Sequence, residues 1–306
     1  MKQARHIMAI FAIGITIAQA QTPVTDSTSA GDSAVARPSP ARKRHSHFDI
    51  GTTYQSNDVY LGRKDSLPLP YFIPSISYYH KSGLYITTSL DYLKSAAASR
   101  IDLFTIEGGY MFSAHHYEGN FTLSKYFYNS QSTSVTSAIR AAVAYQNAYD
   151  FGPIKAGLTA TLNSSVKLDY EGLFEISHTF SLLKDNLDIT PTLAAGGSTL
   201  NYYDYYRQRK YKITKKKKVI GTGIASVTGS VLQPSRFQLL DYEPTLPIEY
   251  SIGKFTINFT PTYSIPINPA TIDIHTVKEN GVATDRTKTE SIGNTFYFTV
   301  GLSFLF

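Results

Sequence analysis

The sequence predicts an all-β chain, a closed antiparallel transmembrane β-barrel of about twelve strands, with ten or fourteen as the alternatives. Three observations carry this: a period of two from His47 onward, connections that alternate short and long, and a final strand that stays apolar on one face up to the last residue. In that final strand, Ser291 to Phe306, the residues Ile292, Phe296, Phe298, Val300, Leu302, Phe304 and Phe306 fall on one face. Thr295, Tyr297, Thr299, Gly301 and Ser303 fall on the other. In water such a strand would leave a greasy face and an open edge. A membrane barrel turns the face to lipid and pairs the edge with its first strand.

Thr299, Gly301, Phe304 and Phe306 also occupy, in order, a pattern of polar, any, glycine, any, any, aromatic, any, aromatic. In this the chain resembles bacterial outer-membrane β-barrel proteins, whose assembly machinery reads such a closing strand. The resemblance implies that machinery as a partner, and outer-membrane lipid and lipopolysaccharide as surroundings.

The opposite end is consistent with export. Lys2 and Arg5 precede an apolar run from Ile7 to Ile17, and Ala18-Gln19-Ala20 offers small residues for cleavage, so 1–20 reads as a secretory signal peptide. The run is too short to span a bilayer. Residues 21–46 are rich in Thr, Ser, Ala and Pro, contain Arg42-Lys43-Arg44, and read as a flexible periplasmic lead before a barrel over 47–306. The lead's basic cluster is where a periplasmic partner is expected to make contact. The absence of cysteine excludes disulfides, a lipoprotein anchor and thiolate metal sites. No cofactor is expected. The 23 tyrosines and 17 phenylalanines suit strands and interfacial girdles. The +6 net charge does not point to nucleic acid, because much of the excess lies in Arg37 to Arg44 and in one loop around Lys215 to Lys218.

Turn signals set the connections. The short ones are Lys81-Ser82-Gly83, His115 to Asn120, Asn147 to Gly152, Leu183 to Asn186 and Ser251 to Lys254. The intervening ones are Asn57 to Pro70, Ser95 to Arg100, Asn129 to Thr133, Asn163 to Leu168, Asn201 to Ser235 and Pro266 to Glu290. With both barrel termini periplasmic, every long loop falls outside.

Turning the greasier face of each strand to lipid leaves a polar lumen. Its candidates are Asp49, Thr53, Gln55, Asp91, Glu107, Arg140, Lys155, Glu175, Asp188, Asp241, Glu243, Glu249, Lys254, Asn258 and Thr260. Acids outnumber bases there, so an open bore favours cations or neutral solutes, whereas pairing with Arg140, Lys155 and Lys254 would give a salt-bridged, plugged interior. Lys125 breaks the sorting, which predicts a β-bulge near Ser124 that turns Tyr126 and Tyr128 outward. The loop from Asn201 to Ser235 carries Tyr205, Tyr206, Arg207, Arg209 and Lys210 before Lys215, Lys216, Lys217 and Lys218. It is a solvated hairpin, a binder of lipopolysaccharide phosphates or acidic glycans, or a constriction of the pore.

The leading function is a porin-like channel for diffusion of small polar or cationic solutes. The alternatives are a structural or secretion/assembly-partner barrel with a plugged lumen, and a lipid-modifying outer-membrane enzyme. For the last, Ser177 and His178 are adjacent and point to opposite faces, and His80 with Ser82 sits at a turn, so no base-to-nucleophile pair is assigned. His45 with His47, and His115-His116, lack the carboxylate or thiolate company of a metal site.

Overall fold

A computed structural model describes residues 45–95, 98–218 and 224–306, with side chains undescribed at 211–218, 224 and 225. The expected signal peptide, 1–20, and nearly all of the expected lead, 21–46, lie outside the described residues. Twelve strands form the wall. They are β1 (His47–Gln55), β2 (Tyr71–Tyr79), β3 (Leu84–Lys94), β4 (Ser99–Ala114), β5 (Tyr117–Tyr128), β6 (Ala141–Asp150) and β7 (Lys155–Ser164). They continue as β8 (Leu168–Ser177, then Phe180–Leu182), β9 (Leu187–Ile189, then Thr192–Ser198), β10 (Gln238–Thr245, then Ile248–Ile252), β11 (Phe255–Pro266) and β12 (Thr295–Leu305). The breaks in β9 and β10 fall at Pro191 and Pro247, where the ladder loses an N–H donor.

Each strand pairs antiparallel with its neighbours in sequence, and β12 pairs with both β11 and β1, which closes the cylinder. Thr52 lies opposite Leu302, and the Phe306 amide donates to the Phe48 carbonyl at 2.9 Å. On β12, Phe296 is 61% exposed and its neighbour Tyr297 1%. The same contrast separates Phe174, at 47%, from Glu175, at 3%, on β8. The exposed face is the lipid face, since an apolar band of this kind is stable only in hydrocarbon. No helix of the described residues is long and apolar enough to cross a membrane.

The turns at residues 80–83, 115–116, 151–154, 183–186 and 253–254 gather at the end that holds His47 and Phe306. The connections at the other end build structure of their own. The first contains a hairpin of Val59–Tyr60 and Arg63–Lys64. The fifth contains a helix, α1 (Asn201–Lys218), and a strand, Ile224–Val231. That strand joins Thr271–Lys278 and Ala283–Thr289 of the last connection in a three-stranded sheet.

Two sequence expectations need correction. No bulge forms near Ser124: β5 holds its register against β4 and β6 through Lys125 without a shift. Tyr126 is buried inside, Tyr128 also faces inward, and Lys125 stays on the outer face with its Nζ 5.8 Å from the Phe127 ring centroid. Three residues separate Lys125 from the strand's long-loop end, about 10 Å, so its stem lies along the barrel and its ammonium reaches the interface. The bulge sits instead on β4, where Asp91 faces Leu103 and Tyr92 faces Ile101, so that Asp102 has no opposite number. Both Asp102 and Leu103 are thereby buried in the interior.

The second correction concerns Asn201 to Ser235, read as a loop, whose first half is α1. Asp169, at the top of β8, accepts from the Asn201 amide at 2.7 Å and the Tyr202 amide at 2.9 Å, satisfying two orphan donors of the helix N-terminus from another strand.

Gly109 on β4 tests the packing of this interior. An added Cβ there would strike the Phe121 carbonyl and come within 2.6 Å of the Tyr85 ring. Gly109→Val is expected to cost about 1 to 3 kcal/mol and to lower the temperature at which the folded band is lost on gels. Gly293→Ala, which meets nothing within 4 Å, should leave that temperature unchanged.

Candidate functional site

The lumen is acidic, and most strongly so on one arc. Its β8 presents Glu171 and Glu175, β9 presents Asp188, and β10 presents Asp241, Glu243 and Glu249. Register sorts them into tiers: Asp188 lies directly opposite Glu249, while Glu175 lies opposite Ala194, which lies opposite Glu243. The facing arc contributes Asp49 from β1, Asp91 from β3 and Glu107 from β4. Glu171 was not a candidate from the sequence. Its position beside a turn signal hid the inward parity it shares with Asp169, Leu173 and Glu175.

Neutral groups hold four of these acids. Glu107 accepts from the Tyr85 hydroxyl at 3.2 Å and the Ser124 hydroxyl at 2.9 Å. Glu171 accepts from the Tyr60 hydroxyl, and from Asn163 Nδ2 at 2.9 Å. Tyr297 reaches Glu243 at 3.3 Å, and Ser264 reaches Asp241 at 3.4 Å. Among the described residues the ion pairs are Arg63–Glu290, Arg100–Asp102, Lys155–Glu118, Lys210–Asp65 and His275–Asp285. None of them engages Glu171, Glu175, Asp241, Glu243 or Glu249. Of the cations assigned to the lumen, Lys155 pairs with Glu118 at 2.5 Å near the short-turn end. Arg140 is exposed just before β6. Lys254 is exposed in a turn, its Nζ 5.7 Å from the centroid of Phe304, whose ring lies on the outer face. Arg140 and Lys254 therefore do not line the wall.

Above the acids, the long-loop mouth is filled by a cap. Tyr60 and Leu61 from the first hairpin, Val135, Ala138 and Ile139 from residues 129–140, and Leu200, Tyr202, Tyr203 and Tyr206 around the start of α1 form one buried cluster. It includes Leu103, Tyr126, Ala142 and Leu240 of the wall. The hairpin turns on Leu61 and Gly62, both at positive φ, 47° and 75°, as a two-residue loop requires. Leu61 tolerates this because its side chain is buried against the wall: a Cβ on Gly196 would come within 2.6 Å of it.

Two carboxylates tie the cap together. Glu290 pairs with Arg63 at 2.9 Å and accepts from the Tyr203 hydroxyl at 2.7 Å and the Ala270 amide at 2.8 Å, joining three connections at one side chain. Asp102 accepts from the Tyr71 and Ser132 hydroxyls, both at 2.7 Å, and pairs with Arg100. The basic residues of α1 also serve the cap. Arg209 donates to the Ser130 and Ser132 carbonyls at 2.7 and 2.8 Å, and Arg207 lies over the Tyr203 ring. Lys210 donates to Asp65 at 3.2 Å, and Tyr206 reaches the same carboxylate at 3.3 Å. Tyr205 is exposed, and the side chains of Lys215, Lys216, Lys217 and Lys218 lie outside the described residues.

The described histidines make local contacts. His178 stacks edge-on against Phe180 with centroids 4.4 Å apart. His80 Nδ1 lies 2.8 Å from Ser82 Oγ in an exposed turn, and His47 stacks on Tyr79. Among the described residues no three His, Cys, Asp or Glu side chains converge to hold a metal.

Burial opposes ionisation of Asp65, but Lys210 and the hydrogen bonds from Ser66 and the Leu67 amide outweigh it and hold the carboxyl below its usual range. A depressed folded-state pKa stabilises the cap above the unfolded pKa, about 3.9, and the gain is lost as pH falls through the lower folded value. Amide exchange over residues 201–210 is therefore expected to stay slow at neutral pH and to accelerate only below that range. In Lys210→Met the acceleration should begin at higher pH.

No protein-family model and no curated protein matches the chain. Among solved structures it is similar to a KdgM porin, with 9% identity over 84% of this chain and 98% of that one and a TM-score of 0.42. A NanC porin gives 9%, 84%, 98% and 0.44. An outer membrane channel from Pseudomonas putida F1 gives 9%, 89%, 100% and 0.43. Likenesses this distant fix neither solute nor mechanism, which rest on this chain's own lumen.

Proposed function

We propose that the protein is an outer-membrane, porin-like channel for small polar or cationic solutes, its long loops outside, Phe306 at the periplasmic end, and its outer mouth shut by the cap in the state described. The observation that carries this is the acidic arc of β8 to β10, in which Glu171, Asp241 and Glu243 are held by hydroxyls and an amide and, with Glu175 and Glu249, take part in none of the ion pairs of the described residues. A wall kept for structure alone gains nothing from like charges directly across strands, which repel. The same wall facing a solute path concentrates cations and excludes anions.

A second reading, a structural or assembly-partner barrel with a plugged lumen, is favoured by the cap itself, since Tyr60, Leu61, Ile139 and Tyr202 are at most 2% exposed and pack into one apolar cluster at the mouth. Catalysis has no comparable support, because Ser177 and His178 make no hydrogen bond to each other.

Planar-bilayer recordings separate the two. The wild type should show brief or infrequent openings. A variant with residues 58–65 replaced by a short glycine-serine link should open steadily and select potassium over chloride. Asp241→Asn combined with Glu243→Gln in that background should move the reversal potential toward zero. Absence of conductance from a folded, shortened variant would reject the channel and leave the plugged barrel.

A further inference from the structure

We infer that Glu175, with Glu243 two strands away, forms a subsite for a small organic cation that carries N–H donors, an alkylammonium or guanidinium group. The inference rests on the channel reading for the ligand's route of entry, and deepens it by naming a ligand class.

Glu175 is 3% exposed and faces inward, and neither of its carboxylate oxygens has a hydrogen-bond partner in the protein. A buried carboxylate left in this condition is costly. Glu175 is distinguished by having both oxygens in this condition, a single buried oxygen being so placed on Asp49 and on Asp188, whereas Glu107, Glu171, Asp241 and Glu243 each receive a donor from the protein. The residues beside Glu175 on the ladders are small: Gly157 stands opposite on β7 and Ala194 on β9. Beyond Ala194 comes Glu243, so the two acids stand about 10 Å apart across two strand spacings with a methyl group between them. A planar or tetrahedral cation lying over Ala194 has a carboxylate on either side.

The approach is from the short-turn end. There Ser177, Asp188, Glu249 and Asn258 are only half-buried, and Asp188 and Glu249 form an outer acidic tier. Some six residues of strand, about 20 Å, separate that tier from Glu175 and Glu243. A metal ion is a poor fit, because among the described residues no three acidic or histidine side chains converge. A cation that satisfies two carboxylates through several N–H groups needs no such convergence.

The test is calorimetric titration of the detergent-solubilised full chain with ethylguanidinium, against tetramethylammonium, which has equal charge and no donor. Saturable binding of ethylguanidinium alone, weakened at least tenfold in Glu175→Gln and reduced in Glu243→Gln, supports the subsite. Glu175→Gln, isosteric with the wild-type side chain, should unfold at a temperature no lower than the wild type, which shows that lost binding is not lost folding. Equal binding of the two cations, or unchanged ethylguanidinium affinity in a folded Glu175→Gln, would overturn it. Conductance is measured separately: a barrel that binds through Glu175 but never conducts keeps the subsite and loses the channel, and one that conducts without Glu175-dependent binding does the reverse.

Discussion

The pairing of β12 with β1 is the constraint on which the remaining structure depends. In hydrocarbon an unpaired backbone amide or carbonyl costs several kcal/mol, so a sheet can cross the bilayer only if its two edges meet. Phe306 donating to Phe48, and Ser56 donating to Phe298, place that seam along the length of both strands. Once the cylinder is closed, every residue of every strand faces either lipid or lumen. The alternation of Phe296, Phe298, Val300 and Leu302 with Thr295, Tyr297, Thr299 and Gly301 then becomes an obligation instead of a preference.

The lumen that results is narrow enough for loops to fill. Small wall residues such as Gly196 admit the Leu61 tip, and Tyr60, carried on that hairpin, satisfies Glu171 on the far wall. Cap and wall are thus joined through the same acids that would attract a solute. Glu290 supplies the corresponding joint among the loops, since removal of any one of its three partners would leave a charge buried without full compensation. The cap is held by a few polar joints over an apolar cluster.

Strand number, the closing strand, the alternation of short and long connections and the inward parity of Asp49, Glu107, Glu175, Asp241 and Glu243 were all legible in the chain. Each is a consequence of one local rule, the period of two, applied between turn residues. Legibility ended where local rules compete with distant partners. The rule placed a bulge at Lys125, but the β5 backbone pairs without interruption and the long lysine stem accommodates the charge instead. It missed the bulge at Asp102, whose inward turn is stabilised by Tyr71, Ser132 and Arg100 from three places in the chain.

The helix α1 marks the same boundary. Its tyrosines favour strands by propensity, and the carboxylate that caps its first turn, Asp169, lies 32 residues earlier on a different element. Likewise Arg209 and Lys210 read as free basic charge, although in the fold they bind carbonyls of residues 130 and 132 and the Asp65 carboxylate. The sequence by itself determined the solvent, the barrel and the sign of the lumen, because alternation and composition are properties of neighbouring residues. Which acids stay unpaired, which loops enter the mouth and what α1 holds in place were decided only by tertiary structure, because those contacts join residues that no local pattern relates.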